Sequence, residues 1–386
     1  MIKRFEALNK QLTERAERGL NRSLIARKQN ASPIQLANND YLGLSQSPSV
    51  KAAAKSAIDQ WGTSASASPL VTGYTELHAQ LERTLAELVG FKSALIWNTG
   101  YAANAAVLSL FAKKGDLVLA DRLIHRSLLS GIIQSGAQLI RYPHLDLEML
   151  ESILERHGSK HQNIFVVTES VFSMDGDYPD LQRIAHLKTK FSFIWILDEA
   201  HAFGWYGPKG NGLAAHAGVS NAVDILIGTL GKALGSMGAF TLFQDKSLRH
   251  ACIQLAPEFI YSTYLCPAAV GAALESIRIA SEIDQTILQS HSKAFRIKIT
   301  EVLQSIGLAP LIPLTRFDSP IIPIIIGDTE KILLIAKRLA TSGFNVGSIR
   351  PPTVPEGTAR LRLSLNMQFL QNHQDSFIAA FKEALS

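Results

Sequence analysis

The sequence predicts an α/β protein with a large, mostly parallel mixed sheet and a smaller α+β unit. Three observations predict it. Short, nearly uninterrupted apolar runs recur between Ser93 and Phe243, the pattern of strands covered on both faces. Helically periodic stretches lie between several of them, as crossovers joining parallel strands require. Beyond Cys266 the texture changes to a long helical region followed by strands alternating with one further helix.

Taken in order, Phe5, Leu8, Leu12, Ala16 and Leu20 recur at about helical spacing, so the chain opens on an amphipathic helix expected to pack on another surface. A polar turn region follows, and NNDYLGLSQSP reads as a loop from its Gly, Ser and Pro. SALIWN, DLVLAD, AQLIRY, NIFVVTES, FSFIWILDEA, VDILIGTL and GAFTLF read as strands, with helices over Ala102 to Phe111, Leu145 to Arg156 and Leu181 to Thr189. Pro267 to Ser305 reads as helical, then IIPIII, FNVGSIR and ARLRLSLN as strands around a helix at Lys331 to Ala340. The expected division is an N-terminal arm with part of the small domain over 1–45, a large domain over 46–285 and a C-terminal small domain over 286–386.

Composition narrows the function. With 386 residues, 47% hydrophobic and 18% charged, the chain can bury a large core and is not a disordered scaffold. The net charge of +5 comes from scattered Lys and Arg, without the basic blocks and interleaved aromatics of nucleic-acid binding. It reads as a solubility setting, or as an attraction for an anionic small molecule or an acidic carrier protein. Cys252 and Cys266 are the only cysteines, which argues against a disulfide framework or a cysteine zinc site, and no metal is expected. MIKRFEALNKQL has no apolar signal core, and the greasy run near Ile321 to Ile326 is too short to span a bilayer. A cytoplasmic enzyme or binding protein is the expectation.

The chemistry gathers at strand ends. FSFIWIL runs into Asp198, Glu199, Ala200 and His201, where open α/β sheets place ligands, although an Asp there serves equally well as a helix cap. VDILIGTLGKALGSMG places Thr229 and Lys232 among glycines after a second such strand. A Lys beside a pocket becomes an imine-forming nucleophile if burial lowers its pKa, and the spacing is not that of a Walker A loop. Together the two ends are more specific: a pyridine ring needs an acid for its nitrogen, an amine for its aldehyde and donors for its phosphate, and Asp198, Lys232 and Thr229 offer one of each. In WNTGYAAN the N–H groups of Thr99, Gly100 and Tyr101 open a helix, a suitable phosphate seat or an ordinary strand-to-helix turn. His125 in DRLIHRS is either a site residue or a packed histidine.

Eight collinear blocks carry a resemblance: NDYLGL (Asn39 to Leu44), LVTGYTELHAQLE (Leu70 to Glu82), DRLIHRSLL (Asp121 to Leu129), ESVFSMDGD (Glu169 to Asp177), DEAHAFGWYGPKGNG (Asp198 to Gly212), GTLGKALGSMGA (Gly228 to Ala239), YST (Tyr261 to Thr263) and RPPTVPEGTARLRLSL (Arg350 to Leu365). Over nearly its whole length the sequence resembles the α-oxoamine synthase family of fold-type I pyridoxal-phosphate enzymes. The resemblance implies that Lys232 holds pyridoxal 5'-phosphate as an imine, Asp198 pairs with the ring nitrogen, His201 hydrogen-bonds the ring oxygen, His125 stacks on the ring, Thr229 helps bind phosphate and Glu169 shapes the site. It implies a homodimer in which Ser262 or Thr263 reaches the neighbour's phosphate. Arg362 is assigned to the amino-acid carboxylate, a task suited to a guanidinium fork, and Arg22, Arg350 and Thr353 to the approach of the acyl thioester.

The implied reaction is decarboxylative condensation of L-alanine with pimeloyl-CoA or a pimeloyl carrier protein, in biotin biosynthesis. Glycine C-acetyl transfer and long-chain acyl transfer are the alternatives within the family, and a noncatalytic binding protein on the same fold is the alternative outside it. The chain departs from the family at Pro69, where an Arg is usual, at Arg126 after the expected stacking His, at Cys266 before Pro267, and near Phe369, where a His is frequent. None of these removes the Lys or the Asp.

Overall fold

Two sheets organise the chain. The computed structural model describes residues 3–17, 20–22, 24, 26, 34–158, 160–308, 314 and 317–386. In chain order the strands are β1 (Ile34–Leu36), β2 (Ser93–Trp97), β3 (Leu117–Asp121), β4 (Gln138–Tyr142), β5 (Ile164–Glu169), β6 (Ile194–Asp198), β7 (Ile225–Thr229), β8 (Ala239–Phe243), β9 (Ile321–Gly327), β10 (Phe344–Ile349) and β11 (Ala359–Ser364). The larger sheet runs β2-β8-β7-β6-β5-β3-β4 and the smaller β1-β10-β11-β9.

In the larger sheet every pair from β7 to β4 is parallel, and β8 runs antiparallel to both β7 and β2. The cause lies in the side chains: β3 and β5 are buried at every position, which only a sheet covered on both faces permits. The helices Gly100–Phe111, Leu147–His157 and Leu181–Phe191 supply cover at the expected places. The parallel register brings Glu169 opposite Asp198 at the carboxyl ends of β5 and β6, with Thr229 ending β7 beside them. Fully burying Leu119, Val166, Ile196 and Leu226 stabilises this platform by about 1.5–3 kcal/mol per side chain. One close approach sets the layer above it. A Cβ on Gly131 would lie 2.7 Å from the Ala105 carbonyl oxygen, so only glycine lets the helix Arg126–Ser135 press against the helix Gly100–Phe111.

Three details go beyond these expectations. The helix Lys3–Glu17 forms, but it buries no residue within the chain, and Phe5 and Leu12 are 53% and 60% exposed. The polar turn region expected after it falls largely outside the described residues, which resume with β1, a strand the sequence reading did not anticipate. The long helical region is two helices, Pro267–Glu282 and Gln285–Ser305. Asp284 separates them, its side chain accepting from Thr286 N as an N-cap. No helix among the described residues is long and apolar enough to cross a membrane.

Candidate active site

The carboxyl ends of β5, β6 and β7 open on a cavity of 210 Å³ into which Gly100, Tyr101, His125, Glu169, Asp198, His201, Thr229 and Lys232 all project. Residues spread over more than a hundred positions converge because parallel strands end on one edge. Lys232 lies on the loop between β7 and β8. Thr229 secures that loop, donating from Oγ1 to Gly238 O at 3.1 Å and accepting from Gly231 N at 3.2 Å. At φ +56 Gly235 brings the loop onto the NDYLGL segment, where a Cβ would sit 2.3 Å from Ser45 N.

Burial draws the Lys232 ammonium down to about 8, with the positive Arg362 adding to it and the carboxyl groups of Asp198 and Glu169 opposing. Its Nζ lies 2.9 Å from His201 Nε2, and His201 Nδ1 lies 2.6 Å from the Tyr41 hydroxyl. Burial first, then Lys232 and Arg362, hold the His201 imidazole well below the ordinary histidine range, so the ring is neutral and carries one proton between two engaged nitrogens. Tyr41 also donates to Asn39 Oδ1 at 3.2 Å, and Arg362 Nη1 donates to the same oxygen at 3.2 Å. A continuous polar chain therefore joins Arg362, Asn39, Tyr41, His201 and Lys232.

Asp198 accepts Ala200 N on Oδ1 at 2.9 Å and Asn104 Nδ2 on Oδ2 at 2.8 Å. Asn104 Nδ2 also reaches Ser127 Oγ at 2.9 Å, and that hydroxyl lies 2.6 Å from His125 Nδ1. Ser127 N donates to the same ring nitrogen at 3.3 Å, so Nδ1 of His125 is an acceptor and the proton of the neutral ring sits on Nε2. Burial, with Lys232 adding to it and Asp198 opposing, lowers the His125 pKa. Glu169 is pushed well above the usual carboxylate range by burial and by the neighbouring Asp198, which favours its neutral acid form.

Two buried polar atoms at the cavity, Asn104 Oδ1 and Glu169 Oε1, have no partner among the described residues. Such atoms are normally satisfied, and here they edge a pocket that holds a depressed lysine, a carboxylate and two neutral imidazoles. That donor set fits pyridoxal phosphate: an amine for the aldehyde, a carboxylate for the ring nitrogen and ring faces for stacking. Thr99 caps the helix Gly100–Phe111 by accepting Ala102 N at 3.1 Å, which leaves the first N–H groups of that helix unpaired for a phosphate.

Other expected residues stand apart from the cavity. Ser262 and Thr263 do not line it within one chain, and the Thr263 carbonyl accepts Asn98 Nδ2 at 2.6 Å. Arg362 is buried and donates from Nε to Ser173 O at 2.6 Å and from Nη1 to Ser364 Oγ at 2.6 Å. Arg22, Arg350 and Thr353 gather separately: Arg22 Nη2 donates to Thr353 Oγ1 at 3.1 Å, and Arg350 Nη2 to Asn21 O at 2.6 Å. Asn39, Tyr41, Asn104 and Ser127 went unassigned in the sequence reading. Their signal was proximity to chosen residues, Asn104 one helical turn beyond Gly100 and Ser127 two residues beyond His125.

The family model for Aminotransferase class I and II matches residues 31–373. The 8-amino-7-oxononanoate synthase of Geobacter sulfurreducens is 36% identical over 379 residues, 96% of this chain and 95% of that protein. Among solved structures, Sphingomonas wittichii serine palmitoyltransferase superposes with a TM-score of 0.87 at 26% identity, covering 100% of this chain and 98% of that one. The 8-amino-7-oxononanoate synthase from Francisella tularensis superposes with a TM-score of 0.76 at 28% identity, covering 92% and 97%.

Proposed function

Because the chain belongs to the class I and II aminotransferase family and, within it, to the α-oxoamine synthases, we propose that it condenses L-alanine with a pimeloyl thioester to give 8-amino-7-oxononanoate in biotin biosynthesis. It is a pyridoxal-phosphate-dependent acyltransferase. In the proposed reaction the alanine α-carbon loses its proton, forms a carbon–carbon bond to the acyl carbonyl as the carbon–sulfur bond breaks, and then loses carbon dioxide and is reprotonated. The thiol leaves with coenzyme A or the carrier protein.

Bound pyridoxal phosphate supplies the electron sink for negative charge at the α-carbon. In this reading Lys232 Nζ anchors the cofactor and afterwards takes the α-proton, a task for which a pKa of about 8 suits it. Asp198 keeps the ring nitrogen protonated, and His125 stacks on the ring while Asn104 and Ser127 hold both residues in place. His201 hydrogen-bonds the ring oxygen through Nε2. Arg362 grips the α-carboxylate. Thr99, Gly100, Tyr101 and Thr229 receive the phosphate, and Glu169 closes the floor. The working unit is a cytoplasmic homodimer in which Ser262 and Thr263 reach the partner's phosphate. The exposed Tyr261 (82%) and Val71 (75%) support this, since large apolar side chains in water mark a surface that pairs. Arg22, Arg350 and Thr353 line the thioester's approach.

The observation that carries the alanine and pimeloyl assignment is identity of 36% sustained over 95% of a named 8-amino-7-oxononanoate synthase. A second reading, long-chain acyl transfer, is favoured by the backbone superposition, since the TM-score of 0.87 belongs to a serine palmitoyltransferase. The test is thiol release from acetyl, pimeloyl and palmitoyl thioesters, each with alanine, glycine and serine, with products identified by mass. Highest kcat/KM for alanine with pimeloyl is expected. Preference for serine with palmitoyl would replace the assignment with the second reading.

A further inference from the structure

Arg360 and Arg362 are two residues apart on β11, so they lean to the same face about 7 Å from one another along the strand. Both reach the turn after β5. Arg362 donates to Ser173 O, whereas Arg360 Nη1 donates to Met174 O at 3.3 Å and to Asp175 Oδ1 at 2.5 Å. Arg360 Nε donates to Thr358 O at 3.1 Å, and the residue is only 4% exposed. Its Nη2 has no acceptor among the described residues, and it is the edge that Arg360 has left to offer the cavity it lines. That cavity measures 180 Å³ and is walled by Leu123, Phe172, Val354 and Pro355, with the Asp175 carboxylate that pairs with Arg360 also on its lining. Thr353 lines it too, and its Oγ1 accepts from Arg22, so its own O–H remains free to donate.

An apolar slot with two spare donors, one of them on a buried guanidinium, suits a short methylene chain that ends in an oxyanion. We propose that this slot seats the distal carboxylate of a medium-chain dicarboxylic acyl group and that Arg360, aided by Thr353, selects for it. The proposal deepens the pimeloyl reading and rests on it. Asp175 already balances one edge of the fork, and the five donors of a guanidinium allow a second acceptor on the other. An acyl chain ending in a methyl group would bury that edge without a partner, the arrangement that costs most in a closed site. Thr353 joins the slot to Arg22, and Ser173, whose carbonyl accepts from Arg362, lies on its lining.

The test compares pimeloyl with heptanoyl thioester, the same chain length without the distal carboxylate, on the holoenzyme with alanine. The ratio of the two kcat/KM values serves as the readout, so that any general loss of folded enzyme cancels. Wild type is expected to favour pimeloyl by roughly 50-fold or more, the usual worth of a hydrogen bond to a charged group in a closed site. Arg360→Met should bring the ratio near one. Thr353→Val, which leaves the Asp175 ion pair intact, should lower it several-fold. A ratio unchanged in both variants, or a wild type indifferent to the carboxylate, overturns the slot while leaving the family reaction standing. A wild type that uses neither thioester but accepts palmitoyl or acetyl overturns the pimeloyl reading and the slot with it.

Discussion

Asp198, Glu169 and Thr229 end hydrogen-bonded strands of the larger sheet, whereas Thr353 and Arg350 lie on the loop between β10 and β11 and meet an N-terminal arm through two side-chain hydrogen bonds. The cofactor side is thus fixed by a buried platform and cross-braced by Asn104, Ser127, Tyr41 and Asn39. The proposed substrate side is carried by loops of the smaller sheet. The contrast teaches where each kind of information resides. Chemistry shared by a family sits on rigid strand ends, and selectivity sits on connections that change without disturbing the core.

That contrast can be broken most forcefully at Arg362, which belongs to the smaller sheet yet is buried and wired to Lys232. Arg362→Met should lower kcat/KM for alanine by about 100- to 1000-fold while cofactor affinity, read by absorbance titration, changes little. A comparable loss of cofactor would erase the distinction between the two sides.

His144 probes how the turn after β5, which both sides share, is held. Its Nδ1 lies 2.9 Å from Asp121 Oδ1 and its Nε2 3.0 Å from Asp177 Oδ2. Burial alone would lower its pKa, but hydrogen bonds to the two carboxylates and their charge raise it to about 10. A pKa raised in the folded state adds stability that is complete below the unfolded value near 6.5 and is lost as pH climbs through about 10. Denaturant unfolding of wild type should therefore lose on the order of 4–5 kcal/mol across that range. His144→Gln should flatten the profile, and an equal slope in both proteins would refute the clamp.

Tyr41→Phe sharpens the comparison on the cofactor side. Without the hydroxyl, His201 Nδ1 loses its partner, and kcat should fall by about 10-fold with the KM for alanine nearly unchanged. The smallest effect belongs to the Ser/Ala-rich loop. Ser66 holds φ at 56, a left-handed conformation that costs a side chain about 1 kcal/mol. Ser66→Gly should raise stability by up to about 1 kcal/mol, because the greater freedom of unfolded glycine offsets part of the relief.

The same divide decides how much was legible in advance. Strands β3, β5, β6, β7 and β8 announce themselves as apolar runs because both of their faces are buried, and the polar exceptions Asp198, Thr229 and Lys232 lie at or just beyond their ends. By contrast β1 is three residues long, and its pairing is with β10 near the other end of the chain, which no local pattern encodes. Asn104 and Tyr41 were overlooked for a related reason. Their partners Asp198 and His201 lie 94 and 160 residues away, and an Asn on a helix or a Tyr in a loop carries no sign of such a contact. Nor did the helix Lys3–Glu17 disclose that its apolar face would remain uncovered by its own chain.

The central claim, that a buried amine at position 232 captures the cofactor, is most directly tested by borohydride trapping of cofactor-supplied protein across a pH series, followed by peptide mass mapping. The cofactor's mass is expected on Lys232, with trapping from the free protein rising through a midpoint near 8 as burial favours the neutral amine. Label on a different lysine, or a midpoint near the free-lysine value of about 10.4, would contradict it.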